Sequence, residues 1–224
     1  MIKYRLVALC LSIVIVSCGH TNKLAQYNLR SKQVEMLSGT NTSGAATSSI
    51  ASGSHNAVQD VIAGISGGQI STETARKLRH AANADSLASQ VAKGFEGALI
   101  AYLSVAPVYG YAPNAPFRSE TILQEYSLSS DSTGTRAHIS ALSRIIERAS
   151  GTLVWQYTSS KDIALSTTSA RHANERAMIS AVNAAMLADM SEEEIASIFY
   201  GAAQEIGRDI GETLREDVAD LAKH

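Results

Sequence analysis

The chain has 224 residues and a mass of 23.7 kDa, with 45% hydrophobic and 18% charged residues and a formal charge of −2. A chain of that length can bury a core without disulfide or metal staples. Nineteen basic residues against 21 acidic ones, at a pI near 6.3, make no broad positive field, which argues against nucleic acid as the main partner. The mean hydropathy of −0.01 hides an asymmetry, because much of the strongly apolar sequence lies in the first 18 residues.

Lys3 and Arg5 give the chain a positive start, and Leu6–Val16 is an uncharged apolar run of 11 residues. A membrane span needs about 20, so the run suits the apolar region of a secretory signal instead. It ends in Ile15-Val16-Ser17-Cys18. This order of charge, apolar run, small residue and cysteine resembles a bacterial lipoprotein precursor with its lipobox. Cys10 competes for the role, but the residue before it, Leu9, is bulky and its apolar run is only four residues long.

The resemblance implies cleavage before Cys18, a diacylglycerol thioether on its sulfur and a fatty amide, such as palmitate, on its new N-terminus. Three acyl chains at about 0.8 kcal/mol per buried methylene amount to tens of kcal/mol, an effectively permanent anchor. Gly19 follows where an Asp would retain many lipoproteins in the inner membrane, which implies the periplasmic side of the outer membrane. The processed chain would have 207 residues, with 17 basic against 21 acidic. Cys10 would leave and Cys18 would be acylated, so no disulfide, cysteine nucleophile or cysteine zinc site is expected.

The expected organisation is a signal over 1–17, a lipidated tether over 18–26 and one periplasmic domain over 27–224. Eight tether residues would reach at most about 25–29 Å. Lys32–Leu37 alternates like a half-buried strand. Residues 38–54 are almost wholly Ser, Thr, Gly and Ala, which reads as a flexible loop with a weak second strand near Ala46–Ala51. His55–Ile65 reads as a helix stopped by Gly67-Gly68, and Ser71–Thr74 as the cap of another running through Leu78. Leu87, Val91 and Phe95 share a helical face, with Gly94 and Gly97 weakening its end. Ala98–Val105 is a continuous apolar run expected to be a central strand.

All three prolines, Pro107, Pro113 and Pro116, fall in Ala106–Phe117, together with Tyr109, Tyr111 and Phe117. Proline fixes φ and removes a donor, so an ordered surface loop is expected and not a helix or inner strand. Aromatic rings on a stiff loop lose little entropy on binding, which makes Tyr109, Tyr111 and Phe117 the candidate partner surface. The bland alternative is that these rings cap the core.

Thr121–Leu128 reads as a strand or a helical turn, followed by a turn at Ser129–Gly134. Ala137–Ile146 and Thr152–Thr158 read as a hairpin, with Trp155 as a core anchor. The stretch RIIERASGTLVWQYTSS and the helix over Arg171–Met190 resemble the C-terminal part of small periplasmic α/β lipoprotein domains of unknown function. That resemblance implies a mixed α/β layer and carries no functional residues. Met178, Val182, Ala185 and Asp189 form the stripe of the Arg171–Asp189 helix. Ser191–Glu194 is a capping box, and from Ile195 to Leu221 apolar residues recur at steps of three or four. That helix either breaks near Gly207 or Gly211, or its end projects as a partner surface.

No phosphate loop, His-Glu-x-x-His, Cys-x-x-Cys or Gly-x-Ser-x-Gly occurs. His138 and His172 are the histidines on which a scattered hydrolase site would have to be built. The expected fold is therefore mixed α+β, a small and mainly antiparallel sheet covered by helices, with a long C-terminal amphipathic helix. The expected function is a non-catalytic binding or assembly module. It would be held to the membrane by its N-terminal lipid, act on an envelope protein partner, and use no cofactor, metal or nucleic acid. The alternative is an envelope hydrolase or small-ligand-binding lipoprotein.

Overall fold

The computed structural model describes residues 20–41, 45–48, 72, 74–167, 173–221 and 223. Cys18 and the signal, the helix expected over His55–Ile65, and His172 lie outside the described residues.

Seven strands form one sheet: β1 (Thr21–Asn22), β2 (Gln33–Thr40), β3 (Ala45–Ser48), β4 (Ala106–Tyr109), β5 (Phe117–Asp131), β6 (Gly134–Glu147) and β7 (Leu153–Thr167). Their spatial order is β1-β7-β6-β5-β2-β4, with β3 also beside β5. β5, β6 and β7 are long antiparallel hairpins, whereas β2 and β3 pair with β5 in parallel, and β4 does so with β2. Residues 74–81 are helical, and three longer helices follow: α1 (Ala84–Leu103), α2 (Ala173–Asp189) and α3 (Glu192–Leu221). This is the mixed α/β architecture expected, with the helices against one sheet face and a long C-terminal helix.

Strand alternation explains why the sheet has a dry face and a wet one. Along β5, Phe117, Ser119, Thr121 and Leu123 are buried, while Arg118, Glu120 and Ile122 are only half-buried. A bulge between Leu123 and Glu125 places Gln124 and Glu125 outward together and returns Tyr126 to the dry side, where it meets Phe199 edge-on. Arg144 on β6 pairs with Glu120 across the wet face at 2.5 Å.

The helices differ from expectation in informative ways. Asn83 caps α1, its side chain accepting the Ser86 N–H at 2.9 Å. The helix then runs through Gly94 and Gly97 and takes in Ala98–Leu103, so the expected central strand there is corrected to helix. The apolar run misled because Ala98, Leu99 and Leu103 face inward while Ile100 and Tyr102 stay 42% and 40% exposed. Ser104, in the left-handed region at φ 50°, ends the helix and its N–H bonds to Ile100 O. β2 also extends to Thr40 and β3 forms at Ala45–Ser48, so part of the expected loop over 38–54 is sheet.

α3 neither breaks nor projects. It is continuous for 30 residues, opened by the Ser191–Glu194 capping box with both reciprocal bonds formed at 2.8 and 3.1 Å. Its inner stripe, Ile195, Phe199, Ile206, Ile210 and Leu214, is buried. Gly207 and Gly211 let it lie close to α1: a Cβ at Gly94 would lie 2.4 Å from the Gly207 carbonyl carbon, and one at Gly207 would lie 2.7 Å from Val91 O. The two backbones touch at this crossing. Beneath it Phe95 stacks on Trp155 at 5.1 Å, and Trp155 is fully buried, as a core anchor should be.

α2 turns the Met178–Val182 side of its stripe to solvent. Met178 and Val182 are 70% and 57% exposed, whereas Asn183, Ala184 and Leu187 face inward. Spacing identifies a stripe without saying which way it points. Here polar bonds decide, with Asn183 Nδ2 donating to Asp131 O at 2.9 Å and Thr135 Oγ1 to Asn183 O at 3.4 Å.

The expected tether is also shorter. Thr21 and Asn22 pair with Gln156 and Trp155, Lys23 N–H donates to Val154 O at 2.8 Å, and Leu24 is buried in a short 3-10 turn. The chain is bound to the sheet from His20 onward.

Candidate functional site

The proline-rich segment begins as an edge strand. Pro107 sits in β4, which pairs on one side only, with β2, and an edge is where a strand tolerates proline. Gly110, at φ 79°, turns the chain away, since that left-handed conformation is open to glycine without strain. A turn from Ala112 to Ala115 follows, closed by Ala115 N–H to Ala112 O at 3.0 Å.

A buried ion pair holds this loop in place. Glu35 on β2 is 3% exposed; one carboxylate oxygen accepts the Ala112 N–H at 2.9 Å and the other pairs with the Arg148 guanidinium. Arg148 stands in the turn between β6 and β7. Its Nε donates to Ala115 O at 3.1 Å and its backbone N–H to Pro116 O at 2.9 Å. A carboxylate taken out of water needs its charge matched and its lone pairs filled, and these contacts do both while gripping the loop at three points.

The structure separates the three candidate residues. Tyr109 and Tyr111 are 67% and 86% exposed. Phe117 is 5% exposed and meets Tyr27 edge-on at 6.3 Å, so it is removed from the candidate surface: as the first residue of β5 it falls on the dry face. The Tyr109 hydroxyl donates to Glu96 on α1, and this bond, ahead of burial and the charge of Glu96, raises its pKa above the ordinary 10.0. Beside Tyr109 a cavity of about 350 Å³ opens between α1 and β2, lined among others by Met36, Leu37, Ala92 and Lys93. The cavity is lined also by Ser38, Ser89, Glu96, Ser119 and Thr121, so the exposed tyrosine rings stand beside a mixed polar and apolar hollow, as in the polar rim of a protein contact.

Other chemistry is scattered. His138 Nδ1 meets Asp162 Oδ1 at 2.8 Å, not the Asp131 nearer in sequence, and Asp162 is 71% exposed. His20 Nε2 meets Asp217 Oδ2 at 2.8 Å. Among the described residues no group of three metal-binding side chains occurs, and no described helix is long and apolar enough to cross a membrane. A hollow of about 390 Å³ between α2, α3 and β7, lined by Leu165, Met186, Leu187, Met190 and Ile198, lies against the outward stripe of α2. Sequence reasoning missed the Glu35–Arg148 pair altogether. Its members are 113 residues apart, and only Glu35 in an apolar strand context hinted at burial.

No protein-family model matches the sequence, and no curated protein matches it. Solved structures that resemble the fold include a Xanthomonas campestris protein of the family DUF330, at 12% identity and TM-score 0.37, covering 88% of this chain and 91% of that one. A candidate lipoprotein from Caulobacter crescentus matches at 14% identity and TM-score 0.31, over 62% of this chain and 85% of its own. The PelC dodecamer from Paraburkholderia phytofirmans matches at 10% identity and TM-score 0.29, over 80% and 88%. At those scores the likenesses carry no argument about what this chain binds or does.

Proposed function

We propose that the chain is a lipid-anchored envelope protein, held at the periplasmic side of the outer membrane through Cys18, that binds a protein partner through the tyrosine loop without catalysing a reaction. One observation carries the binding role: two tyrosines stand in solvent on a loop whose backbone is pinned by a buried ion pair. Tyr111 is 86% exposed, so its ring is not part of the described core. A ring already held in place loses little freedom on association, and exposed, preorganised aromatics are what interface anchors are made of. The lipobox supports the anchor, and the absence of recognisable catalytic motifs supports a binding role.

A photo-cross-linking residue at position 111, introduced in cells, is expected to capture one protein, and the cross-link is expected to vanish when Tyr109→Ala is added. Capture of no protein, or cross-linking unchanged by Tyr109→Ala, would overturn the loop as a binding surface. Fatty-acid labelling tests the anchor independently: label is expected on the wild type and lost in Cys18→Ala, and label retained in that variant refutes it. A second reading, a lipoprotein that binds a small apolar ligand, is favoured by the methionine-edged hollow. Protection of Met186 and Met190 from oxidation by a long-chain fatty acid would support that reading, and unchanged oxidation would remove it.

A further inference from the structure

We infer that the domain rests on the membrane by one edge of its sheet and presents the tyrosine loop at the other, so that the β1/β7 edge faces the lipid headgroups and Tyr111 faces away from the bilayer. The inference rests on the reading of Cys18 as acylated and adds the orientation.

It starts from how little free chain separates the lipid from the fold. His20 is fastened three ways: its Nε2 bonds to Asp217 on α3 at 2.8 Å, and its ring stands edge-on to Tyr157 at 5.7 Å and Trp155 at 6.3 Å. Asp217 is itself held, accepting the Trp155 indole N–H at 2.6 Å. Thr21, Asn22 and Lys23 then bond to β7. Only Gly19 lies between His20 and Cys18, and two residue steps reach at most about 7 Å. An acylated sulfur on that leash cannot move away from this edge.

The register fixes where the tyrosines stand relative to it. A single row of paired residues crosses the sheet through Asn22, Trp155, Ile145, Ser119, Met36 and Tyr109. Adjacent strands lie about 4.8 Å apart, so the five steps of this row span about 24 Å. The row joins the residue two positions after His20 to the tyrosine that opens the loop. Anchor and loop are thus on opposite margins of one rigid sheet.

The membrane-facing edge has the chemistry of a surface that lies against headgroups without entering the apolar core. Among the described residues no strand covers the outer side of β7 over 158–167, and Thr158, Ser160, Lys161 and Asp162 are exposed there. Among the described residues this edge leaves backbone donors and acceptors uncovered beside hydroxyl side chains, with Lys161 paired to Glu205 and Asp162 to His138, a polar surface that suits hydrated headgroups and would be expensive in hydrocarbon.

The test uses the full lipidated protein in vesicles of phosphatidylethanolamine and phosphatidylglycerol containing a headgroup nitroxide quencher. Acylated Cys18 would be the only cysteine left in the processed chain, so Ser160→Cys and Asn114→Cys, both at exposed positions, each supply one site for a fluorophore. Several-fold stronger quenching at position 160 than at 114 is expected. Equal quenching, or stronger quenching at 114, in protein that floats with the vesicles overturns the orientation and leaves the anchor standing. Protein that carries no acyl mass and fails to float overturns the anchor, and the orientation with it.

Discussion

The α1–α3 crossing and the clamp under the tyrosine loop both join distant parts of the chain, and they do so with opposite chemistry. At the crossing the contact itself is backbone and apolar side chain, Gly94 against Gly207 with Val91, Phe95 and Ala98 nearby, while the outer side of the seam opens into a hollow edged by Lys93, Arg208 and Glu212. At the clamp a buried carboxylate and a guanidinium reach across 113 residues to hold two backbone groups, and the Arg148 backbone N–H holds a third. The crossing gains from dispersion and excluded water, which reward any close fit. The clamp gains little net stability, because desolvating two charges offsets most of their attraction, but it admits a single arrangement of the loop. The first joint sets how firmly the domain holds together, and the second sets where two tyrosines stand.

The sharpest way to break the comparison is to fill the crossing. Gly94→Val places two methyl groups where a Cβ alone would already lie 2.4 Å from the Gly207 backbone, so the helices must separate at their closest approach. A loss of at least about 3 kcal/mol is expected, read by urea unfolding. A loss below about 1 kcal/mol would show that α3 can tilt away freely and that the seam is not rigid.

Breaking the clamp should have a smaller global effect and a larger local one. Arg148→Met strands the Glu35 carboxylate. A fully buried pair so broken loses about 3–5 kcal/mol, but Arg148 is 28% exposed and water can enter in its place, so about 2 kcal/mol is expected. The double variant Glu35→Gln with Arg148→Met should recover part of that loss while its loop is still cleaved faster by protease than the wild type. Equal proteolysis of the loop in the double variant and the wild type would show that the ion pair does not position the tyrosines.

Two further glycines turn the sign around. Gly97 and Gly201 lie in the interiors of α1 and α3 on exposed positions, and a Cβ at either would meet nothing within 4 Å. Alanine there removes backbone freedom from the unfolded chain without a clash, so each substitution should stabilise by about 0.5–1 kcal/mol. The same helix pair would then contain glycines that cannot be replaced and glycines that should be, told apart only by what stands opposite them.

That distinction marks how far the sequence could be read. The hairpin of β6 and β7, the core role of Trp155, the capping box at Ser191 and the inner stripe of α3 were all legible, because each is a local pattern with one physical cause. The run at Ala98–Val105 was misread because a helix that buries one side and leaves Ile100 and Tyr102 half in solvent looks, in apolar content, like a buried strand. The outward direction of the α2 stripe was not legible, because periodicity gives a direction only after the partner is known. Of the candidate site, Tyr109 and Tyr111 could be picked out from the prolines around them. The clamp that holds them could not, since neither Glu35 nor Arg148 belongs to any local pattern.

A half-buried carboxylate built on the same plan as the clamp gives the smallest and last contrast. Asp131 closes the β5–β6 turn, accepting both the backbone N–H and the hydroxyl of Thr133 at 2.6 Å. These bonds, the hydroxyl first, with help from Arg136 and the Gly134 N–H, hold its pKa below the ordinary 3.8 against burial, which opposes them and is second in size only to the hydroxyl bond. A carboxyl whose folded pKa is depressed stabilises the fold fully above its unfolded value, and the contribution disappears as pH falls through the folded one. Asp131 should therefore add stability down to about pH 4 and lose it in more acid solution. Asp131→Asn should flatten that part of the stability curve below pH 4 without altering the neutral-to-alkaline part. An unchanged acid slope would mean that the turn is held by its backbone bonds alone, unlike the tyrosine loop, whose position depends on the hydrogen bonds of a buried carboxylate.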